Sequence, residues 1–311
     1  MSGRLSTAGR LAAAAALMTG MLAGPPGEAL AADTAATAGC TMTSGSVTAG
    51  GDHTARVITA GSPPTVQEKS RYADIYPAGQ PRLSSLIGNE LVLPSPGRGY
   101  YGNVVIGSGL YSSFYIVTEA GEIDPMQHLN SRIGGGWSDV TFLDASYPKS
   151  ADPWAVVHQY ALHSNGTLTR WDAKGGFWGN PQSAGGFSAV KTMALISQTA
   201  TYDTFLANTR GGALYTIRLP LTAPMKPIVK QVRAKTWQGF DALVAEKCGQ
   251  YGTLLLGIDK DTQSGYLYAV GHANGPATVI QGLGKVPATF ADSVNFRHVT
   301  NPRSGPLLFG E

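Results

Sequence analysis

The 311-residue sequence predicts an all-β fold made of about five like units. Two markers recur along the chain: a turn glycine followed closely by an apolar residue, and an aromatic residue that opens an alternating run. The marker glycines are about 45–53 residues apart. No segment shows a sustained helical period, and the 40 glycines suit a chain with many tight turns.

Each unit has the same internal order. An aromatic residue begins a strand, a polar gap and an apolar strand follow, and the glycine turn leads into another strand. The opening aromatics are Tyr101, Trp137, Phe187, Phe240 and Phe290, and the turn glycines are Gly121, Gly166, Gly212, Gly265 and Gly310. Repeats of about 40–50 residues built from short antiparallel strands are typical of a β-propeller. We therefore predict a five-bladed β-propeller. A two-sheet sandwich is the structural alternative, and it does not explain the even spacing.

The last unit is truncated, because the sequence stops directly after the fifth marker glycine. A ring of sheets closes without a bare edge only if another segment completes that blade. We expect residues 54–61 to supply a strand, so that N- and C-terminal strands share one blade. Residues 71–99 hold either the rest of that blade or most of an additional one. The predicted division is a signal peptide at 1–31, an N-terminal arm at 32–53 and the propeller at 54–311.

The first residues match a secretory signal peptide. Arg4 and Arg10 are the only charges before the apolar run at residues 11–24, and the small residues Ala29 and Ala31 precede the expected cut. The apolar run is too short for a permanent membrane span. The formal net charge is only +3, without a Lys/Arg cluster, which argues against nucleic acid or anionic membranes as partners. We expect a secreted, extracellular and monomeric protein.

The chain has two cysteines, Cys40 and Cys248. An even cysteine count in an exported protein favours a disulfide, which would tie the N-terminal arm to the rest of the domain. Two free thiols are the alternative.

The repeat pattern resembles that of tachylectin-type proteins, a family of five-bladed propeller lectins. The unit starts carry the resemblance at Gly136-Trp137, Gly186-Phe187 and Gly239-Phe240. So do the glycine–leucine pairs after the turns, which are Gly166/Leu168, Gly212/Leu214 and Gly265/Leu267, with Tyr215 and Tyr268 after the last two. The resemblance covers roughly residues 100–311, and its copies diverge: Thr169 replaces the tyrosine in one unit and Thr289 the glycine in another. It implies binding of N-acetylated sugars between neighbouring blades.

A sugar site needs an aromatic face for the pyranose ring and fixed polar groups for its hydroxyls. The segment from Arg170 to Gln182 is the densest cluster of such residues, and the Trp-Gln pair one unit later occupies the corresponding connection. The predicted ligand-binding residues are Trp171, Asp172, Trp178, Asn180, Trp237 and Gln238. The alternative is that these tryptophans pack between blades, as regularly placed aromatics often do.

Motifs for catalysis are absent from the sequence: it has neither G-x-S-x-G nor H-E-x-x-H, and we predict no catalytic residue, cofactor or metal site. A propeller glycoside hydrolase would need carboxylates converging on the axis, and Asp139 and Asp292 share the same offset from their unit aromatics. We predict a carbohydrate-binding propeller without catalysis. A glycoside hydrolase and an extracellular protein-binding scaffold are the alternatives.

Overall fold

The computed structural model describes residues 39–91, 97–150, 152, 155–175, 177–301, 305 and 307–311. The predicted signal peptide and the first part of the predicted arm lie outside these residues. Within the described part, the regular structure consists of strands. That part contains no helix of the length and hydrophobicity that a membrane crossing requires.

The first two blades take their strands from the N-terminal half of the chain. Blade I contains β1 (Thr41–Val47), β2 (His53–Thr59) and β3 (Thr65–Tyr72). Blade II contains β4 (Pro81–Ser84), β5 (Ile87–Leu91), β6 (Gly97–Ile106), β7 (Gly109–Thr118) and β8 (Ile123–Gly134).

The next three blades each run in chain order from an innermost to an outermost strand. Blade III contains β9 (Val140–Ser146), β10 (Val157–His163), β11 (Leu168–Lys174) and β12 (Phe177–Ala184). Blade IV contains β13 (Val190–Gln198), β14 (Tyr202–Thr209), β15 (Leu214–Pro220) and β16 (Ile228–Arg233). Blade V contains β17 (Ala242–Cys248), β18 (Gly252–Asp259), β19 (Ser264–Val270) and β20 (Ile280–Lys285). Two short strands follow, β21 (Val294–Arg297) and β22 (Val299–Thr300).

Blade I closes the ring with strands from both ends of the chain. Its sheet order is β21-β1-β2-β3, and β21 pairs antiparallel with β1 from Ser44↔Arg297 to Val47↔Val294. The predicted five-bladed propeller is confirmed, and residues 54–61 contribute β2 to the closing blade as expected. Strand β1, however, comes from the segment that the sequence analysis places in the arm.

The five innermost strands form a closed ring. Strand β21 contacts β4, β4 contacts β9, β9 contacts β13, β13 contacts β17, and β17 contacts β21. A sandwich would give two facing sheets instead of this cycle. Residues 71–99 do not form an extra blade, because they end β3 and supply the inner strands β4 and β5 of blade II.

The aromatic that starts each blade is held by a backbone hydrogen bond to the preceding blade. In every case its N–H donates to a carbonyl in the turn between the second and third strands. The five bonds, of 2.9–3.0 Å, run from Tyr76 to Gly51, Trp137 to Ser108, Phe187 to Gly166, Trp237 to Gly212 and Phe290 to Gln263.

The close approach of the blade III turn to the start of blade IV explains why the turn has a glycine. Gly166 has a φ of +83°, and a Cβ there would lie 2.2 Å from the Ser188 nitrogen. The marker aromatics Trp137, Phe187 and Phe290 are thereby confirmed as unit starts. Two others were misplaced: Tyr101 lies inside β6, and Phe240 follows the true unit start, Trp237, by three residues.

Gly310 does not mark a fifth hairpin turn. Residues 307–311 form an extended tail, and Phe309 bridges Ser197 of β13 in blade IV rather than an early strand. Val294–Arg297 does the closing instead, because it continues directly from the fifth unit-start aromatic, Phe290.

The predicted disulfide is confirmed between Cys40 and Cys248, whose Cα atoms are 5.4 Å apart and which lie 208 residues apart in sequence. It joins the start of β1 to the end of β17, so it links the closing blade to blade V. In the chain-entropy model, closing so long a loop stabilises the fold by about 5 kcal/mol. The same blade junction buries Met42, Ile58 and Leu254 in one apolar cluster.

Candidate functional site

An open groove lies where blade II packs against blade III. It encloses about 390 Å³. Strands β6, β7 and β8 form one wall, and β10, β11, β12 and the residues before β10 form most of the other. We call it the II–III groove; its lining residues are Tyr101, Gly102, Asn103, Ser112, Ser113, Phe114, Ile133, Tyr147, Ala155, Val157, Gln159, Ala173, Gly175 and Trp178.

Trp178 is the tryptophan among the lining residues of the II–III groove. It is half-buried on β12, where it pairs across the strand with Ala173 of β11. Behind it lie Trp171 and Trp137, with ring centroids 5.5 and 5.9 Å from that of Trp178. Trp137 and Trp171 are themselves 5.8 Å apart. This three-tryptophan cluster fixes the Trp178 ring while leaving part of its surface accessible.

Gln159 lines the same groove and carries a hydrogen-bond acceptor that has no partner. Its side chain is on β10, opposite Trp171 in the strand register, and the residue is only 4% exposed. Its Oε1 has no hydrogen-bond partner. A buried acceptor without a donor costs about 1–3 kcal/mol, so an N–H or O–H group of a ligand would be favourable there.

The II–III groove is electrically neutral over its described lining. Those residues are aromatic, apolar, amide or hydroxyl-bearing, and none is Asp, Glu, Lys, Arg or His. Phe114 and Ile133 extend the apolar surface on the blade II side, whereas Asn103, Ser112 and Ser113 add polar groups. The mixture suits an uncharged ligand with one apolar and one hydroxylated face.

Trp171 and Trp178 of the predicted site lie together, but Asp172 and Asn180 lie apart from them. Since successive strand residues point to opposite faces, Asp172 faces away from the II–III groove. Its Oδ1 lies 3.1 Å from His158 Nδ1, and its Oδ2 accepts a hydrogen bond of 3.2 Å from Asn180 Nδ2.

Trp237 and Gln238 lie at a different junction, between blades IV and V. Trp237 is 5% exposed, and its ring packs 5.0 Å from Tyr268 and 5.5 Å from Phe240. Gln238 is exposed, and its carbonyl accepts a hydrogen bond from Lys191 Nζ. The structure thus does not bring this pair to the tryptophan cluster, and Trp237 takes the packing role.

Sequence reasoning missed the partners of Trp178 from other strands, chiefly Gln159, Asn103 and Phe114. Gln159 left one signal: it is an amide beside His158 in the largely apolar stretch at residues 154–163. Asn103 and Phe114 left none, because only the packing of two blades brings their strands to Trp178.

Asp139 and Asp292, the carboxylates considered for hydrolysis, belong to blades that are not neighbours. Asp139 Oδ2 lies 3.0 Å from His163 Nδ1, and Asp292 accepts a hydrogen bond from Ser46. In the part of the chain that the structure describes, no group of three or more His, Cys, Asp or Glu side chains is placed to hold a metal ion.

No protein-family model matches this chain. No curated protein matches it either. Solved structures are similar at low identity. The BP39L lectin from Burkholderia pseudomallei has a TM-score of 0.41 and 14% identity, over 80% of this chain and 70% of that one.

Two further solved structures show a similar degree of likeness. A mutant of the Aleuria aurantia lectin AAL, in complex with Fucα1-6GlcNAc, has a TM-score of 0.40 and 13% identity, over 79% of each chain. The periplasmic gluconolactonase PpgL from Pseudomonas aeruginosa has a TM-score of 0.36 and 12% identity, over 80% of this chain and 83% of that one. We base no functional argument on these similarities, and the fold assignment rests on the sheet topology.

Proposed function

We propose that this chain is a carbohydrate-binding propeller without catalytic activity, and that the II–III groove is its sugar site. The observation that supports this proposal most is that two residues line the same open cavity: Trp178, whose ring is half-buried, and Gln159, whose buried Oε1 has no hydrogen-bond partner. Aromatic stacking with a directed hydrogen bond is how protein sites orient amphipathic ligands such as sugars.

The ligand is an uncharged, N-acetylated sugar. An acetamido group carries an N–H that can donate to Gln159 Oε1, and its methyl group suits the apolar surface of Phe114 and Trp178. Sialic and uronic acids are disfavoured, because no cationic side chain among the described lining residues would neutralise a carboxylate.

A glycan array followed by calorimetry tests this proposal. The wild-type protein should bind N-acetylglucosamine or N-acetylgalactosamine glycans more tightly than the matching glucose and galactose glycans. Trp178→Ala should weaken binding at least tenfold, which is about 1.4 kcal/mol. Phe177→Ala is the matched control. Phe177 is next to Trp178 in sequence, but it is 83% exposed and does not line the groove. Equal losses in both variants, or no glycan bound by the wild type, would refute the proposal.

The enzyme alternative is tested on the same preparation. Release of reducing sugar from any glycan that binds would overturn the non-catalytic assignment. Loss of that release in the double variant Asp139→Asn/Asp292→Asn would further identify those two acids.

We also propose that the protein is exported and monomeric. The Cys40–Cys248 disulfide supports export, since such bonds persist in oxidising compartments. The mass of the protein recovered from the culture medium should correspond to cleavage after Ala31. Light scattering should give the mass of one chain.

A further inference from the structure

The junction between blades IV and V holds an extended segment of the chain, residues 307–311. We call it the tail. Its backbone pairs with β13 on one side, where Gly310 N–H donates to Ile196 O at 2.8 Å and Gln198 N–H donates to Leu308 O at 3.0 Å. On the other side Ala273 N–H donates to Gly310 O at 2.6 Å. Both blades therefore bind the tail through its main chain.

The side chains of the tail are bound by blade IV and by the cluster that blade IV shares with blade III. Leu308 is 1% exposed and packs in the apolar cluster shared by blades III and IV. The side chain of Glu311 is 4% exposed, and its Oε2 accepts a hydrogen bond from Arg218 Nε at 3.2 Å. The Arg218 guanidinium in turn lies over the Tyr202 ring at 4.3 Å. A buried carboxylate is tolerated only with such a partner, so this pocket selects an acidic residue.

The main chain of Glu311 is bound as well. Its N–H donates to Ser197 Oγ at 2.8 Å, and its main-chain oxygen accepts a hydrogen bond from Tyr202 Oη at 3.1 Å. These contacts fix the position of the acidic residue relative to β13.

A third requirement comes from Gly310. A Cβ at this position would lie 2.4 Å from Thr253 Oγ1 and 2.9 Å from Ile196 O, closer than atoms can approach. The slot between β13 and β18 therefore accepts glycine only. Together the contacts define a four-residue pattern: apolar, aromatic, glycine, acidic, in which the half-buried Phe309 ring lies 5.5 Å from Lys247 Nζ.

We propose that the IV–V junction is a peptide-recognition site of this specificity. The chain fills it with its own tail, and an extended segment of a partner protein with the same pattern binds there when the tail leaves. Strand addition with side-chain pockets is an established mode of peptide binding. The tethered tail acts at an effective concentration in the millimolar range, so it competes strongly with a free peptide in the wild-type protein.

The test uses a fluorescent, N-acetylated peptide, Leu-Leu-Phe-Gly-Glu, and the full chain. Gly310→Val should displace the tail and raise the affinity for this peptide at least tenfold over wild type. Leu308→Asp is a second displacing variant, because it buries a charge in an apolar cluster. Gly211→Ala should bind the peptide as weakly as wild type, since a Cβ at Gly211 meets nothing within 4 Å.

A second experiment tests specificity by changing the peptide while the protein variants stay the same. On the displaced variants, Leu-Leu-Phe-Ala-Glu and Leu-Leu-Phe-Gly-Gln should each bind at least tenfold more weakly than the parent peptide. Equal binding of all three peptides, or no gain in the displaced variants, would overturn the proposal. Trp178→Ala should leave peptide binding unchanged, so failure of the sugar proposal and failure of this one remain distinguishable.

Discussion

The II–III and IV–V junctions are built from corresponding strands, yet one is open and the other is filled. The II–III junction keeps a cavity of about 390 Å³ beside a half-buried tryptophan. The IV–V junction holds the tail, and its tryptophan, Trp237, is 5% exposed. The strand position of a tryptophan within the unit, and not its local sequence, thus decides whether it is packed in the core or lines an open cavity.

The two tryptophans occupy different places in the repeat. Trp237 is one of five aromatics that begin a blade and donate a backbone N–H to the preceding turn, so the ring architecture requires it. Trp178 is on an outermost strand. The outermost strands β16 and β20 carry no aromatic residue, whereas β3 of blade I ends in Tyr72. Trp178 packs against the apolar clusters of its junction and still leaves part of its ring exposed to the groove.

The largest expected effect is that of Trp237→Ala on stability. Removing a buried tryptophan from a packed core costs about 3–5 kcal/mol of the free energy of unfolding. Trp178→Ala should cost much less, because its ring is only half-buried and opens onto a cavity. Thermal unfolding of both variants measures the difference. Equal destabilisation by the two variants would contradict the claim that Trp237 has a packing role that Trp178 lacks.

The second largest effect is the pH dependence of stability that arises at the III–IV junction, which lies between the two junctions compared above. The Asp203 carboxylate is buried between blades III and IV, where it accepts hydrogen bonds from Tyr160 Oη at 2.6 Å and Ser146 Oγ at 2.9 Å. Burial raises the pKa of Asp203 from 3.8 to about 7. Between pH 4 and 7 the unfolded chain has lost a proton that the folded chain retains. The contribution of Asp203 to the free energy of unfolding therefore falls as pH rises through this window.

Asp203→Asn should remove this contribution. Relative to the variant, the wild type should lose on the order of 3 kcal/mol between pH 4 and 7. The comparison with the variant is needed because burial lowers the pKa values of His53 and His298, which weakens the fold as pH falls through the same range. Sugar affinity should stay flat from pH 5 to 8, since no charged side chain is among the described lining residues of the II–III groove. A pH-dependent affinity would contradict the assignment of that groove.

The five-bladed ring could be predicted from the sequence, because each blade repeats a local pattern. The aromatic residues Trp137, Phe187 and Phe290 mark unit starts in the sequence. Gly166 and Gly212 mark turns whose carbonyls accept the N–H groups of Phe187 and Trp237. The pattern failed at its ends. Gly121 belongs to the turn between β7 and β8, and Gly310 to the tail, because a glycine beside an apolar residue is not unique to one turn of the unit.

The candidate site was less predictable, because it is assembled from two blades. Trp171 and Trp178 could be found by composition, since they are close in sequence. Asp172 directly follows Trp171 and projects to the other face, because strand residues alternate in direction. Asn180 bonds to Asp172 because it lies at a β-bulge, where its φ is +50° and the alternation is interrupted. Gln159 comes from a different strand, so only the register of β10 on β11 reveals that it meets Trp171.

The smallest expected effect is that of Gln159→Met. It distinguishes the open junction from the filled one most clearly, because we expect the variant to raise stability and to lower sugar affinity. Gln159→Met keeps the length of the side chain and removes the unpartnered Oε1, so the free energy of unfolding should rise by about 1 kcal/mol. Affinity for the N-acetylated sugar should fall about tenfold, because the acceptor for its N–H is gone.

Thr253→Val is the matched control at the IV–V junction, where the buried Thr253 Oγ1 also has no hydrogen-bond partner. It should stabilise the fold by a similar amount and leave sugar affinity unchanged, which differential scanning calorimetry and sugar titration would show together. A loss of stability in Gln159→Met would mean that Oε1 is satisfied in the free protein. Unchanged affinity would mean that the acceptor does not face the ligand. Either result would remove the reason for treating the open junction as a binding site.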